Sequence, residues 1–225
     1  MKLHILIPAR GGSKGIIKKN IRKIKNKSLV EISIDFALRL KINGNIYISS
    51  DMKEVENICK KYGKKIIFDK RPNYVSKDET LTKDVFNDLY ERREELSKID
   101  SILLLEPTSP LRELKTLNFA LNFFKKEKLQ SMVSVIKQNN LIISNSKSYL
   151  RNIFELDTSQ RQKRKTLFEV VGVFYLSKIS TCLTKGFLHN KTYLYEISKK
   201  QGIDINDEND LKLARNMQKN KFNKI

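Results

Sequence analysis

Short apolar runs alternate with segments of helical spacing over the first 136 residues, and this alternation limits the possible folds more than any other feature of the sequence. Leu3 to Ile7 is an apolar run closed by Pro8 and reads as a buried strand. After a polar, glycine-rich stretch, SLVEISIDFALRL at 28–40 repeats its apolar residues (Leu29, Ile32, Phe36, Ala37, Leu40) at the period of an amphipathic helix. NIYISSD at 45–51 predicts a second strand, 52–62 a helix stopped by Gly63, and KIIF at 65–68 a third strand. Residues 80–96 again show helical spacing, through Leu81, Val85, Leu89 and Leu96. SILLLEP at 101–107 is the clearest buried strand, 114–125 predicts a helix, and SMVSVI at 131–136 a strand. Strands and helices joined by short connections predict an α/β fold: a mostly parallel, twisted sheet with helices on both faces.

Ligands of such sheets bind outside the carboxyl ends of the strands. The notable polar segments all follow strands: ARGGSKG follows the first, SSD closes the second, and EPTSPLR follows the long apolar one. They should converge on one edge. From about 139 the pattern weakens and ends in the basic run QRQKRK, which predicts an arm or insertion at about 139–190, usable in dimer contacts. Within it FEVVGVFYL (168–176) reads as a strand. TYLYEI (192–197) reads as another, and 207–218 as a terminal helix. The 225 residues are expected to form one domain.

The formal charge of +20 comes from 45 Lys and Arg against 25 Asp and Glu. The basic residues are scattered rather than gathered into a stripe. That argues against specific nucleic-acid recognition and leaves nonspecific affinity for polyanions. No apolar run reaches membrane-spanning length, and no export signal is read at the start. Cys59 and Cys182 read as free thiols of a reducing compartment, which places the expected protein in the cytoplasm without a membrane partner.

Arg10-Gly11-Gly12-Ser13-Lys14-Gly15 carries the first chemistry. Glycines let backbone N–H groups approach a phosphate, while Arg10 and Lys14 supply charge and Ser13 a hydroxyl. The spacing is neither the P-loop nor the dinucleotide fingerprint. Taken alone, the segment reads equally as a solvated basic turn, and its position directly after the first strand favours function.

IPARGGSKGIIKKNI (7–21) closely resembles the N-terminal signature of the acylneuraminate cytidylyltransferases, the CMP-sialic acid synthetases. EPTSPLR (106–112) resembles that family's Gln-Pro-Thr-Ser-Pro-Leu-Arg. Weaker matches follow in the same order: Ser50-Asp51, Arg71-Pro72 with Ser76 and Asp78, Arg161-Gln162, and Asp204-Ile205-Asn206. The resemblance covers residues 3 to about 215. It implies a Rossmann-like nucleotide-diphospho-sugar transferase fold, a homodimer, Mg²⁺ as cofactor, and CTP and a nonulosonic acid as substrates. It also implies roles. Arg10, Gly12, Ser13, Lys14, Asn20, Arg71 and Ser76 would hold the nucleotide, Asn20 and Arg71 at its cytidine part, with Arg10, Lys14 and Lys19 acting at the phosphates. Glu106, Thr108, Ser109 and Arg161 would face the sugar, and Asp204 with Asn206 would hold the metal. The activity implied is transfer of CMP from CTP to the anomeric hydroxyl of the sugar acid, with release of pyrophosphate. A 3-deoxy-manno-octulosonate enzyme and a weakened nucleotide-binding homologue are the alternatives.

Three positions depart from the family's pattern. Glu106 stands for Gln, Asn206 for a second Asp, and Val171 precedes Gly172 where Asn is usual. One carboxylate is lost and one gained, so Glu106 reads either as a partial replacement at the metal or as a change in sugar contacts. Asp51 reads either as a site residue or as a helix N-cap. Asp207 and Asp210 read as the cap and first-turn charge of the last helix. His4 reads as a packed histidine and His189 as a surface one.

Overall fold

The computed structural model describes residues 2–13, 15–138, 144–146, 149–151 and 166–219. In chain order its elements are β1 (Leu3–Pro8), a short ribbon of β2 (Lys23–Ile24) and β3 (Lys27–Ser28), α1 (Leu29–Arg39), β4 (Ile46–Ser50), α2 (Lys53–Cys59), β5 (Ile66–Lys70), α3 (Thr82–Arg92), β6 (Ser101–Leu104), α4 (Leu114–Lys126) and β7 (Ser131–Gln138). The hairpin of β8 (Ser144–Ser146) and β9 (Tyr149–Arg151) follows, then β10 (Leu167–Lys178), α5 (Ile179–Lys185), β11 (Tyr193–Glu196) and α6 (Glu208–Lys219).

Seven strands make one sheet in the order β11-β7-β10-β6-β1-β4-β5. β1 pairs in parallel with β4 and β6, β4 with β5, and β7 with β11. β10 alone runs against its neighbours β6 and β7. The sheet is therefore mostly parallel, as the alternation predicts, and the reversal at β10 is not visible in that pattern. Strand alternation divides the core. Leu3, Ile5 and Ile7 of β1 pack in a cluster with Ile34 and Phe36 of α1, Val55 of α2 and Phe124 of α4. Leu6 packs on the other face with Phe86 and Leu89 of α3 and Ile179 and Cys182 of α5. A third cluster joins Ile16, Ile24 and Leu29 to Ile205, Leu211 and Ala214, which fastens the last segment of the chain beside the first loop.

Three elements are shorter than their sequence patterns, and the first, expected over 52–62, is helical only over Lys53–Cys59. The 80–96 segment forms α3 and then a 3-10 turn at Glu94–Lys98. The 101–107 run is a strand only to Leu104. Leu105 still donates to Leu6 O at 3.0 Å, but Pro107 has no N–H to continue a ladder. The later part of the stretch read as an arm, Leu167–Lys178, lies inside the main sheet between β7 and β6. Leu167–Lys178 is therefore sheet, and an arm remains an expectation for the residues before Leu167. Most of those, Arg161 among them, are outside the described residues.

His4 is buried and stacked on Tyr47 at 5.5 Å, and burial lowers its pKa. His189 is half-buried, with Nε2 2.8 Å from Ser131 Oγ. Both cysteines are free and buried, and burial pushes the Cys59 thiol up to about 12. Asp207 caps α6 by accepting from the N–H groups of Asn209 (2.8 Å) and Asp210 (3.0 Å). Among the described residues, no helix is long and apolar enough to cross a membrane.

Candidate active site

The loop after β1 is shaped by its neighbours rather than by its own turn. Ala9 N donates to Ser49 O (2.9 Å), Gly11 N to Asp51 Oδ1 (2.7 Å), and Asn20 Nδ2 to Arg10 O (2.8 Å). Asp51 thus holds the glycine loop and does not cap α2, whose N-cap is Met52 with no side-chain bond. Gly11 and Gly15 are glycines for lack of space. A Cβ on Gly11 would lie 2.9 Å from Met52 Cγ, and one on Gly15 only 2.1 Å from Asn206 O. The first loop and the 204–206 segment are therefore in backbone contact. Lys19 adds a second tie, from Nζ to Ile205 O (2.7 Å) and Asn206 Oδ1 (3.4 Å).

These segments border a cavity of about 300 Å³ at the carboxyl ends of the central strands. It brings together Arg10, Ser13, Lys19 and Asn20 from the first loop with Arg71, Glu106 and Thr108. Asp204 and Asn206 complete that set. Gly12, Ser76 and Ser109 do not line it. Ser76 Oγ donates to Pro72 O (2.9 Å) and closes the turn after Arg71. Ser109 is fully buried, and its N–H closes a turn on Glu106 O (3.1 Å). Lys14 and Arg161 lie outside the described residues. Thr80, Thr82 and Val85 also line the cavity, and sequence reasoning missed them. The only available signal was their position just before and within the first turn of α3.

The cavity is electrically divided. On one side Arg10 Nη1 pairs with Asp78 Oδ1 (2.5 Å) and donates to Lys77 O (3.1 Å). Arg71 is buried, and desolvation lowers its pKa to about 10 while Asp51 and Asp69 oppose the shift, so it stays charged at neutral pH. On the other side stand Glu106 and Asp204. Glu106 rests on the bulge of β10, where the register shifts between Val170 and Tyr175. Ser134 Oγ stabilises that bulge by donating to Val171 O (2.7 Å) and accepting from Phe174 N (3.0 Å). A Cβ on Gly172 would fall 2.0 Å from Glu106 Oε2, so the carboxylate needs a glycine beneath it. Burial first, then Asp204, pushes the Glu106 carboxyl up to about 7 against the pull of Arg112 and Lys19.

Asp204 and Glu106 are the groups suited to a divalent cation. Asp204 Oδ1 is buried without a partner, whereas Oδ2 accepts from Asn206 Nδ2 at 3.0 Å. The Asn206 amide is thereby committed to Asp204 and Lys19. No group of three or more His, Cys, Asp or Glu suited to a metal occurs among the described residues. Mg²⁺ fits such a donor set, because it commonly takes one or two carboxylates and completes its shell with water and substrate phosphate.

A sequence model of the family described as cytidylyltransferase matches residues 4–196. The chain belongs to the cytidylyltransferase family. Among curated relatives, an N-acylneuraminate cytidylyltransferase of Escherichia coli is 28% identical over 98% of this chain and 53% of its own length. One of Streptococcus agalactiae is 28% identical over 93% and 52%. The chain thus spans about half the length of those relatives. It matches 94% of the post-translational flagellin modification protein B of Campylobacter coli, at 28% identity over 96% of the chain. Among solved structures, a CMP:2-keto-3-deoxy-manno-octonic acid synthetase complexed with CTP superposes with a TM-score of 0.71 at 14% identity, covering 99% of this chain and 100% of that one. The 4-diphosphocytidyl-2C-methyl-D-erythritol synthase of Anaerococcus prevotii gives 0.68 at 13% identity and 96% of each chain. Both likenesses concern the fold.

Proposed function

We propose that the protein transfers CMP from CTP to the anomeric hydroxyl of a nonulosonic, sialic-acid-like 2-keto sugar acid and releases pyrophosphate. The observation that carries the reading is the single cavity in which the glycine loop, Arg71, Glu106 with Thr108, and Asp204 meet. Family membership and the names of the curated relatives support it.

In this reading the sugar hydroxyl attacks the α-phosphorus and the bond to the β-phosphate breaks. The protein's work is alignment and charge neutralisation. Arg10 and Lys19 face the phosphates, Asn20 holds the loop through Arg10 O, and Arg71 meets the nucleotide; Lys14, outside the described residues, would add charge there. Glu106 and Thr108, with Arg161, take the sugar side. Asp204 and Glu106 would hold Mg²⁺, which when bound neutralises phosphate charge. Asn206, engaged with Asp204 and Lys19, acts as a brace. A homodimer working in the cytoplasm completes the proposal.

CTP with a panel of keto sugar acids tests it by pyrophosphate release. Turnover with a nonulosonic acid is expected. Turnover only with the eight-carbon 3-deoxy-manno-octulosonate would favour the alternative that the 0.71 superposition also fits. CTP binding without turnover on any acid would identify a weakened homologue. Arg10→Ala is expected to lower kcat/KM by about 10²–10³, the cost of one charge-assisted donor, with the fold intact by circular dichroism.

A further inference from the structure

Behind Arg71 lies a polar chain, buried at Ser49, Asp69 and Asp88, partly exposed at Arg92 and exposed at Tyr74, that the proposed reaction does not itself use. Arg71 Nε donates to Ser49 Oγ (3.2 Å) and Nη2 to Ser49 O (2.9 Å). Ser49 Oγ in turn donates to Asp69 Oδ2 (2.8 Å). Arg92 of α3 grips both oxygens of fully buried Asp69, with Nη1 at 2.6 Å and Nη2 at 3.2 Å. Arg92 also donates to Asp88 Oδ2 from Nε (3.1 Å) and Nη2 (2.5 Å). Asp88 Oδ1 accepts from the hydroxyl of Tyr74, three residues past Arg71. The path runs from the cavity through β4 and β5 into α3 and returns to the loop that carries Arg71. Because α3 itself lines the cavity at Thr82 and Val85, the chain ties that wall to the guanidinium.

Stability alone is a poor reason for this arrangement. Buried ion pairs often stabilise no better than well-packed apolar residues of the same volume. What the network does supply is orientation. A long arginine side chain has many rotamers, and a binding group gains most when its own partners fix it before the ligand arrives.

We propose that Ser49, Asp69 and Arg92 are positioning residues for the nucleotide: they hold the Arg71 guanidinium in the orientation that meets CTP. The inference rests on the nucleotide reading of the cavity. Ser49→Ala removes the hydroxyl that joins Arg71 Nε to Asp69 and leaves only the bond to Ser49 O, and Asp69→Asn removes the charge that Arg92 grips. Calorimetric titration with CTP, and separately with inorganic triphosphate, is the test, with urea unfolding run alongside. Both variants should raise the CTP Kd about tenfold and change triphosphate binding less than twofold. In an Arg71→Ala background each should change the CTP Kd less than twofold, because the link has nothing left to orient. Arg92→Lys keeps the charge without the two-pronged grip and should give an intermediate loss. Should Asp69→Asn fail to fold, Ser49→Ala decides the matter. Unchanged CTP affinity in Ser49→Ala, or equal weakening toward CTP and triphosphate, would overturn the positioning role. So would normal CTP binding by Arg71→Ala. Failure of the unmodified protein to bind CTP would instead defeat the nucleotide reading itself.

Discussion

At the scale of single residues, the carboxyl of Glu106 is set apart by its burial next to Asp204. Its pKa is raised to about 7, so the folded protein holds a proton there that the unfolded chain gives up at lower pH. The sign follows directly. Between about pH 4.5 and pH 7 the native state binds more protons, and this group's contribution to stability falls as pH rises. Without divalent cation, Glu106→Gln should match the unmodified protein near pH 5. At pH 8 it should be more stable by an amount on the order of 2–3 kcal/mol, read from urea unfolding. Equal stability of the two proteins at pH 8 would show that the carboxyl is well solvated. The departure of Glu106 from the family's pattern was legible in the sequence. Its burial was not, because burial depends on Gly172, which is distant in the chain and brought beneath it by the bulge of β10.

At the scale of elements, local signals and structure agree where the cap lies next to its helix. Ser28 Oγ accepts from Glu31 N (3.3 Å), and Glu31 Oε2 accepts from Ser28 N (2.8 Å), a capping box that starts α1. Removing the hydroxyl in Ser28→Ala should cost about 1 kcal/mol and lower Tm by about 2–4 °C. An unchanged Tm would mean that packing of Leu29 and Val30 alone fixes the helix start. Agreement fails where the partner is remote. Asp51 precedes α2 as a cap would, yet its carboxylate accepts from Gly11, forty residues earlier. The competing donor wins because parallel pairing of β1 and β4 delivers the glycine loop beside it.

At the scale of the whole molecule, Arg112 fastens β10 to the loop after β6 and to helix α1. It is buried, and its guanidinium donates to Val173 O (2.7 Å), Gly172 O (3.2 Å), Glu106 O and Ser33 Oγ (3.2 Å). One side chain thus joins β10, the loop after β6 and helix α1. The resemblance pointed Glu106, Thr108 and Ser109 of this segment at the sugar, but its last residue faces inward. Arg112→Ala leaves several buried carbonyls unpaired and opens a cavity, so a loss of roughly 3–5 kcal/mol is expected in denaturant unfolding. A loss below about 1 kcal/mol would show that water replaces the guanidinium at little cost.

Periodicity and motif order alone determined the alternating elements, the mostly parallel sheet and the edge where the polar segments meet. Each depends on residues close in sequence or on the directional rule for parallel strands. The tertiary structure decided the reversal at β10, the cavity's contribution from Thr80 and Thr82, and the chain from Arg71 to Arg92. It also decided the inward turn of Ser109 and Arg112. These depend on which distant backbone oxygens and N–H groups come to lie beside a side chain. A buried polar group binds the partner that folding places within reach, and its sequence neighbours do not name that partner.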